Sequence, residues 1–152
     1  MQTCDQGNCS LECNNVDVCV QKCNNDNGEC TLNCNGENCV QTCDGGKCSL
    51  ECNGKQCSQT CREGTCSLDC NGKECNQTCY RDCNLECHGE SCNQDCSYVQ
   101  GSCQFQCPNV SDANKRNQNC PAYKKRWCTK NLFATTKAPT SFSEHSHSCT
   151  GE

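Results

Sequence analysis

Residues 42–59 read TCDGGKCSLECNGKQCSQ, and residues 60–77 repeat the pattern as TCREGTCSLDCNGKECNQ. Each stretch holds two half-units of one form, in which five residues bounded by Cys are followed by a four-residue connector. One half-unit has Leu at its centre (Leu50), and the other has Gln (Gln59). A fixed period of 18 residues with two distinct halves indicates a repeat architecture in which each period is one structural unit.

The same alternation runs along most of the chain. Leu occupies the centre of one half-unit, and Phe replaces it in the last copy: Leu11, Leu32, Leu50, Leu68, Leu85 and Phe105. Gln occupies the centre of the other half-unit: Gln21, Gln41, Gln59, Gln77 and Gln94. Insertions and deletions fall only in the connectors, whereas the Cys-x3-Cys spacing never changes. The fixed segments are therefore the ordered elements, and the variable segments are surface turns.

A five-residue segment with Cys at both ends and Leu or Gln in the middle has the alternation of a β-strand. The connectors contain turn dipeptides such as Asn53-Gly54 and Asn71-Gly72, which indicate turns because Gly and Asn accept positive φ angles at little cost. The pattern predicts an all-β fold, a disulfide-rich β-solenoid with two short strands per 18-residue coil and about five coils. An antiparallel meander, in which each connector is a hairpin loop, remains the alternative.

Cysteine supplies 26 of the 152 residues, far more than in an ordinary globular domain. Such a content is typical of disulfide scaffolds in oxidising compartments, so we expect a secreted, extracellular protein. The apolar runs in the sequence are too short for a membrane span. We expect the cysteines of the clearest repeats to form a disulfide core: Cys48, Cys52, Cys57, Cys61, Cys66, Cys70, Cys75 and Cys79.

The sequence leaves the disulfide connectivity open. We predict pairing within a coil, across its flattened core, which could close a narrow Cys52–Cys57 ring or a wider Cys48–Cys61 ring. The loop-entropy model gives about 2 kcal/mol for the narrow ring and about 3 kcal/mol for the wide one. The buried Gln residues also need hydrogen-bond partners, for which we expect the Gln of the next coil or the turn backbone.

The charge differs between the two parts of the chain. Residues 1–107 hold 6 Lys and Arg against 15 Asp and Glu, whereas residues 108–152 hold 7 against 3. An acidic repeat array disfavours nucleic acid as a partner. We divide the chain into the repeats (1–107), an irregular basic cap (108–130) and a disordered tail rich in Ser and Thr (131–152). The candidate basic patch of the cap comprises Lys124, Lys125 and Arg126.

Further features concern the ends of the repeat array and its modification. Residues 2–4 (QTC) match the end of a Gln half-unit, so we expect the native chain to extend further toward its N-terminus. Exposed edge strands in the first coil could support end-to-end self-association.

N-glycosylation sequons occur at Asn8, Asn76 and Asn109, of which Asn109, in the irregular segment, is the expected site.

In a solenoid, the residues that alternate with the inward-facing ones form columns on the outer surface. The Leu half-units give an acidic column that includes Glu12, Glu51, Asp69 and Glu86. Stacked carboxylates repel one another unless cations screen them, so we consider weak calcium or mineral binding and, alternatively, a solubilising acidic face. The Gln half-units give a threonine column: Thr42, Thr60 and Thr78.

Short coils that carry Cys and Thr resemble the disulfide-stapled β-solenoid antifreeze proteins of beetles. The resemblance covers the repeat region in style, and it implies ice binding by the threonine column. Those proteins present two parallel Thr columns from a Thr-x-Thr strand on a shorter repeat. Here the column beside the threonines reads Val40, Ser58 and Asn76, so the second Thr column is absent.

The sequence offers no constellation typical of catalysis and no cofactor motif. Of its three His residues, His145 and His147 lie in the tail, and His88 replaces Asn in a turn, as ordinary variation would. Thiolate binding of zinc is the metal-site alternative, but the uniform Cys spacing favours disulfides. We therefore expect a non-catalytic, secreted structural or recognition scaffold with an unknown extracellular partner, and ice binding and cation binding are the alternatives.

Overall fold

The computed structural model describes residues 1–24, 26–96, 99–107, 116–119 and 128–132. In these residues the chain forms twelve β-strands: β1 (Gln2–Cys4), β2 (Cys9–Asn14), β3 (Val18–Cys23), β4 (Glu29–Asn35), β5 (Asn38–Cys52), β6 (Gln56–Cys70), β7 (Glu74–Cys79), β8 (Asp82–Cys87), β9 (Ser91–Asp95), β10 (Cys103–Cys107), β11 (Arg116–Asn119) and β12 (Cys128–Leu132). Buried and outward positions alternate along the strands, because successive side chains point to opposite faces. No helix in the described part of the chain could span a membrane.

The strands form two parallel stacks, which confirms the β-solenoid and excludes the antiparallel meander. Every pairing among the described strands is parallel. One stack comprises β2, β4, β8, β10 and β12, and the other comprises β1, β3, β7, β9 and β11. Strands β5 and β6 belong to both stacks, because each runs through a Gln half-unit, a bend and a Leu half-unit. The described strands make about six coils.

The register places like residues on like residues, as in the pairs Leu50–Leu68 and Gln41–Gln59. Leu and Phe side chains from one stack form half of the core with no measurable exposure: Leu32, Leu50, Leu68, Leu85 and Phe105. Gln side chains from the other stack are at most 1% exposed: Gln21, Gln41, Gln59, Gln77 and Gln94. Each buried Leu stabilises the fold by about 1.5–3 kcal/mol. Because each of these coils supplies one Leu or Phe to the core, burial of these side chains adds only that amount per coil.

The buried Gln side chains form a continuous hydrogen-bonded ladder. The Nε2 atom of Gln59 donates to Oε1 of Gln41 at 3.0 Å. The same nitrogen lies 2.9 Å from the main-chain oxygens of Leu50 and Asp69. The Nε2 atom of Gln77 donates in turn to Oε1 of Gln59 at 2.9 Å. The expected bond between successive Gln residues is confirmed, and the backbone partners are strand carbonyls of the facing stack rather than turn carbonyls.

Each described disulfide joins the last Cys of one half-unit to the first Cys of the next, across a single connector. In the clearest repeats the pairs are Cys43–Cys48, Cys52–Cys57, Cys61–Cys66, Cys70–Cys75 and Cys79–Cys83. The narrow Cys52–Cys57 ring therefore forms, and the wider Cys48–Cys61 ring does not. The bridges occupy both edges of the flattened coil, where each links one stack to the other. A ring of this size stabilises by about 2 kcal/mol.

The Asn-Gly dipeptides lie in turns as expected, but Gly54 and Gly72 do not use the positive φ angles that Gly accepts at little cost. Positive φ occurs instead at other described glycines: Gly7, Gly46 and Gly64. The Asn-Gly turns need Gly because successive coils approach closely. A Cβ atom on Gly72 would lie 2.2 Å from the main-chain oxygen of Gly54 and 2.8 Å from Sγ of Cys57. The missing side chain lets the turn of one coil stack on the turn and the disulfide of the previous coil.

Parallel pairing continues beyond the last Cys-bounded half-unit. Strand β11 pairs with β9 so that Gln118 aligns with Gln94, and β12 pairs with β10 so that Lys130 aligns with Phe105. The segment assigned from the sequence to a basic cap, together with the first two residues of the expected tail, thus adds a strand to each stack. The candidate basic patch lies outside the described residues: Lys124, Lys125 and Arg126. Residues 133–152, most of the expected tail, also lie outside them.

Candidate functional site

Two outer surfaces remain once the core is filled. We call the outer surface of the stack that contains Leu50 the Leu face, and the outer surface of the stack that contains Gln59 the Gln face. On each face the outward residues of successive coils form columns along the rod, with neighbours about 4.8 Å apart. These columns are the candidate functional sites, because the inward side chains are buried.

The threonine column lies on the Gln face. Thr42 pairs with Thr60, and Thr60 pairs with Thr78, so the three residues occupy consecutive coils in one register. All three residues are partly buried. Charged residues bound the column, since Lys22 pairs with Thr42 at one end and Asp95 pairs with Thr78 at the other. The threonine column is therefore three residues long within the described coils.

The neighbouring column on the Gln face changes character along the rod. In coil order it reads Val20, Val40, Ser58, Asn76 and Asn93. Val40 is 40% exposed, and Val18, on the same face, is 64% exposed. One end of this column is thus apolar, and the other end carries amides. This column does not supply the second Thr row of the antifreeze pattern.

The acidic column lies on the Leu face, where Asn33 separates Glu12 from the rest. Three carboxylates follow one another in the register: Glu51, Asp69 and Glu86. Burial raises the pKa of Asp69, His88 opposes that rise, and the charges of Glu86 and Glu51 add to it. The Oδ1 atom of Asp69 has no hydrogen-bond partner among the described residues. Within the column, burial thus disfavours the ionised form of one carboxylate, Asp69.

His88 lies beside this column, and the sequence alone gave it no functional role. Its Nε2 atom is 3.0 Å from Oε1 of Glu86 and 3.8 Å from Oδ1 of Asp69. The position continues an exposed Asn ladder, in which Nδ2 of Asn71 donates to Oδ1 of Asn53 at 2.9 Å. A protonated His88 would place a positive charge against the acidic column. The sequence feature that could have indicated this contact is the replacement of the ladder Asn by His88, two residues after Glu86.

A shallow trough runs along the Leu face beside the acidic column, with a volume of about 570 Å³. Small hydroxyl side chains line its centre: Thr31, Ser49 and Ser67. Lys47 and Asp82 also line it. These groups can exchange hydrogen bonds with a polar chain or a hydrated surface. Disulfide cysteines form the rest of its floor, including Cys48 and Cys66, but the lining has none of the aromatic side chains typical of a small-molecule pocket.

Charged residues in the turns connect successive coils. Each of the following ion pairs joins residues that are 18 positions apart: Lys47–Glu29, Lys55–Glu37, Arg62–Asp44 and Arg81–Glu63. Such exposed pairs contribute at most about 1 kcal/mol each. These cations are therefore engaged within the rod, and they are not a separate basic patch for an acidic partner.

The cysteines named from the sequence all lie in disulfides. Sulfur atoms of neighbouring bridges approach one another, and the Sγ atoms of Cys43, Cys48 and Cys66 lie within 4.8 Å of each other. Zinc binds the thiolate form of Cys, which a disulfide sulfur cannot supply. The sulfur clusters of the described coils are therefore part of the covalent ladder and do not fit a metal centre.

Comparison with known proteins adds no relative from which a role could be transferred. No model of a known family, no curated protein and no solved structure matches this chain. The two faces of the solenoid, and the disulfides and Gln ladder that hold them in place, are therefore the features that bear on its function.

Proposed function

We propose that this chain is a secreted, non-catalytic scaffold, an extracellular rod whose outward columns recognise an extended, repetitive partner such as a polymer or a solid surface. The observation that carries the proposal is the strict register, in which Thr60 stacks on Thr42 and Ser67 stacks on Ser49. Such columns repeat one chemical group at about 4.8 Å, the spacing of neighbouring strands. A partner with its own regular spacing can contact several coils at once.

Rigidity supports this role, because a rod that is already ordered loses little conformational entropy when it binds. A disulfide closes every connector from Cys4 to Cys103. Each bond of the Gln ladder adds about 1 kcal/mol and fixes the register of neighbouring coils. The outward columns are therefore held at constant spacing along the rod.

The proposed absence of catalysis has two supports. Cysteine thiols are candidate nucleophiles, but the Cys residues from Cys4 to Cys103 are all paired in disulfides, and the side chains of Cys107 and Cys128 lie outside the described part. The trough on the Leu face is open to solvent, so it does not offer the enclosed site in which general acids and bases are tuned. The abundant disulfides support the proposed extracellular location, since they persist in oxidising compartments.

Changing the number of coils tests the proposal. Deleting residues 60–77 removes one whole repeat and joins Gln59 to Thr78, so the Cys spacing and both faces are preserved. Duplicating the same residues adds one coil. We would measure the binding of the three rods to crystalline chitin, crystalline cellulose, calcite and ice. Affinity for one of these partners should rise about tenfold or more per coil if several coils bind together.

The control for this experiment is the reduced and alkylated chain, which keeps the composition but loses the ladder. It should bind none of the surfaces with the affinity of the folded rod. Equal affinity of the short, natural and long rods, or no binding to any of the four surfaces, contradicts the proposed repetitive recognition.

Ice binding by the Gln face is a second candidate, favoured by the three partly buried threonines in consecutive coils. Partial burial limits the rotamers of these β-branched side chains, so their methyl and hydroxyl groups repeat regularly. Thr60→Lys should then abolish ice shaping, whereas Ser67→Lys, on the opposite face of the same repeat, should not. The natural chain would have to show a freezing-point gap or shaped crystals, and the absence of both dismisses this candidate.

Cation binding by the acidic column is the remaining alternative. Glu51, Asp69 and Glu86 are aligned, but burial favours the protonated form of Asp69, and His88 offers a counter-charge within the protein. Thermal unfolding with and without calcium tests the alternative. A calcium-dependent rise in Tm that Asp69→Asn removes would support it, and an unchanged Tm would exclude it.

A further inference from the structure

We infer that Asn76, on the Gln face, is an N-glycosylation site. Asn76, Gln77 and Thr78 form an acceptor sequon inside strand β7. Gln77 points into the core and is 1% exposed, whereas Asn76 is exposed and Thr78 is partly buried on the outer surface. Residues two apart in a strand share a face. The acceptor amide and the hydroxyl of the sequon therefore lie together on the outside of the rod.

The surroundings of Asn76 leave room for a glycan. Its partners in the neighbouring coils are the small or polar residues Ser58 and Asn93. The Nδ2 atom of Asn93 donates to Oδ1 of Asn76 at 3.4 Å, so this contact uses the amide oxygen. The glycan is attached to the amide nitrogen. A sugar on that atom extends from the outer surface and displaces no residue of the core.

The transfer is a substitution whose donor is a lipid-diphosphate-linked oligosaccharide of the secretory pathway of eukaryotic cells. The amide nitrogen of Asn76 forms a bond to the anomeric carbon of the first sugar. The bond between that carbon and the diphosphate oxygen breaks, the lipid diphosphate leaves, and the amide loses one proton. The reaction needs no oxidant or reductant, and it occurs in the compartment where the disulfides of this chain would form.

The other sequons are placed differently. The Oδ1 atom of Asn8 accepts a hydrogen bond from the main-chain nitrogen of Glu29 at 3.0 Å, a contact that uses the amide oxygen as in Asn76, so the difference lies in the rest of the sequon. The middle residue of that sequon, Cys9, is held in a disulfide with Cys4. Asn109, the site expected from the sequence, lies outside the described residues. Asn76 is therefore the sequon that the described structure supports best.

Glycosylation at Asn76 has a consequence for the two faces. The glycan covers the Gln face next to Thr78, at one end of the threonine column. The Leu face, with its trough and acidic column, stays uncovered. The assignment of the glycan does not rest on the proposed scaffold function, and either can fail without the other.

Peptide mapping of the full chain, secreted from mammalian cells, tests the inference. Peptide N-glycosidase F removes an N-glycan and converts its Asn to Asp, so the peptide that contains residue 76 reports occupancy directly. We expect Asp at position 76 after this treatment. We also expect the Asn76→Gln variant to migrate faster in gel electrophoresis, by the mass of one glycan. Asn93→Gln is the matched control, since Asn93 occupies the same column but is followed by Gln94 and Asp95, without a hydroxyl.

A second variant covers the case in which Asn76→Gln is not secreted. Asp95→Thr completes a sequon at Asn93, one coil along the same column. Occupancy of Asn93 in this variant together with Asn76 supports the inference that this position of the strand accepts a glycan. An unmodified Asn76 in the secreted natural chain overturns the assignment, whether or not Asn93 is modified in the variant.

Discussion

The side-chain nitrogen of Gln59 donates a hydrogen bond to the side-chain oxygen of Gln41 at 3.0 Å, and neither residue has measurable exposure. This bond joins two successive coils through the centre of the core. The four Gln residues inside the ladder each donate to one neighbour and accept from the other: Gln21, Gln41, Gln59 and Gln77. The ladder therefore holds only when Gln aligns with Gln. A shift of one residue would turn these amides outward and carry polar outward residues into the core, which strongly specifies the register.

Gln59→Met tests the ladder, because Met has a similar length but offers neither the donor nor the acceptor. The change leaves the buried Oε1 atom of Gln41 without its donor and removes an acceptor from Nε2 of Gln77. We expect a loss of about 1–3 kcal/mol for each buried group left unsatisfied. Guanidinium unfolding with the disulfides intact measures it. Gln56→Met, at an exposed position of the same repeat, should change stability little, and equal effects would contradict the ladder.

Protease cleavage tests the disulfide connectivity. Glu51 lies between two rings, because Cys48 pairs backward with Cys43 and Cys52 pairs forward with Cys57. Cleavage after Glu51 in denaturant should therefore separate the chain into two parts without any reductant. The alternative Cys48–Cys61 ring would hold the two parts together.

Glu63 provides the internal control, because it lies inside the Cys61–Cys66 ring. Cleavage after Glu63 should leave the fragments joined until a reductant is added. Non-reducing mass spectrometry distinguishes the two cuts. Fragments that remain linked after cleavage at Glu51 would show that the narrow rings are not the native pairing.

Much of the fold could be predicted from the sequence because the period is strict. Leu50 and Leu68 are 18 residues apart in equivalent half-units, and a solenoid is the arrangement that stacks them. The disulfide pairing could not be predicted, since both candidate rings lie within one coil and differ by only about 1 kcal/mol in loop entropy. The role of Gly72 was also missed, because contact with a previous turn depends on the distance between coils and not on local turn chemistry.

The candidate sites were predicted less completely. The residues of the threonine and acidic columns could be read from the repeat, because Thr60 and Asp69 recur at fixed positions in it. The environment of these columns in the folded protein could not be predicted from the sequence. The approach of His88 to Asp69 joins two different coils through a turn, and the burial that raises the pKa of Asp69 arises from packing between coils. The extension of the Gln stack by β11 could not be predicted, because Arg116 occupies the position at which a half-unit has its first Cys.

Gly72→Ala tests the close approach of the coils. The added Cβ atom would meet the main-chain oxygen of Gly54 at 2.2 Å and Sγ of Cys57 at 2.8 Å, and neither atom can move freely. We expect a destabilisation of about 1–3 kcal/mol, as for overpacking elsewhere in protein cores. Gly7→Asn is the contrast, because nothing lies within 4 Å of a Cβ at Gly7 and Asn tolerates its positive φ. A harmless Gly72→Ala would refute the explanation by close packing.

Asp69 gives a prediction that depends on pH. Burial raises the pKa of Asp69, while His88 acts in the opposite direction. A carboxyl group whose pKa is higher in the folded protein binds its proton more tightly there than in the unfolded chain. Its stabilising contribution is therefore complete below the pKa of the unfolded chain and is lost as the pH rises through the raised value. Asp69→Asn should consequently be more stable than the natural chain at neutral pH.

The stability gap between Asp69→Asn and the natural chain should shrink as the pH falls, because protonated Asp and Asn are both neutral. Guanidinium unfolding at several pH values from about 3 to about 7 spans the titration of carboxyl groups. His88→Asn separates the two effects, since it restores the Asn of the repeat and removes the group that favours ionised Asp69. In that variant the pKa of Asp69, followed by carbon NMR, should rise further. A gap that does not change with pH, or an Asp69→Asn protein less stable than the natural chain at neutral pH, would show that burial does not disfavour the charge.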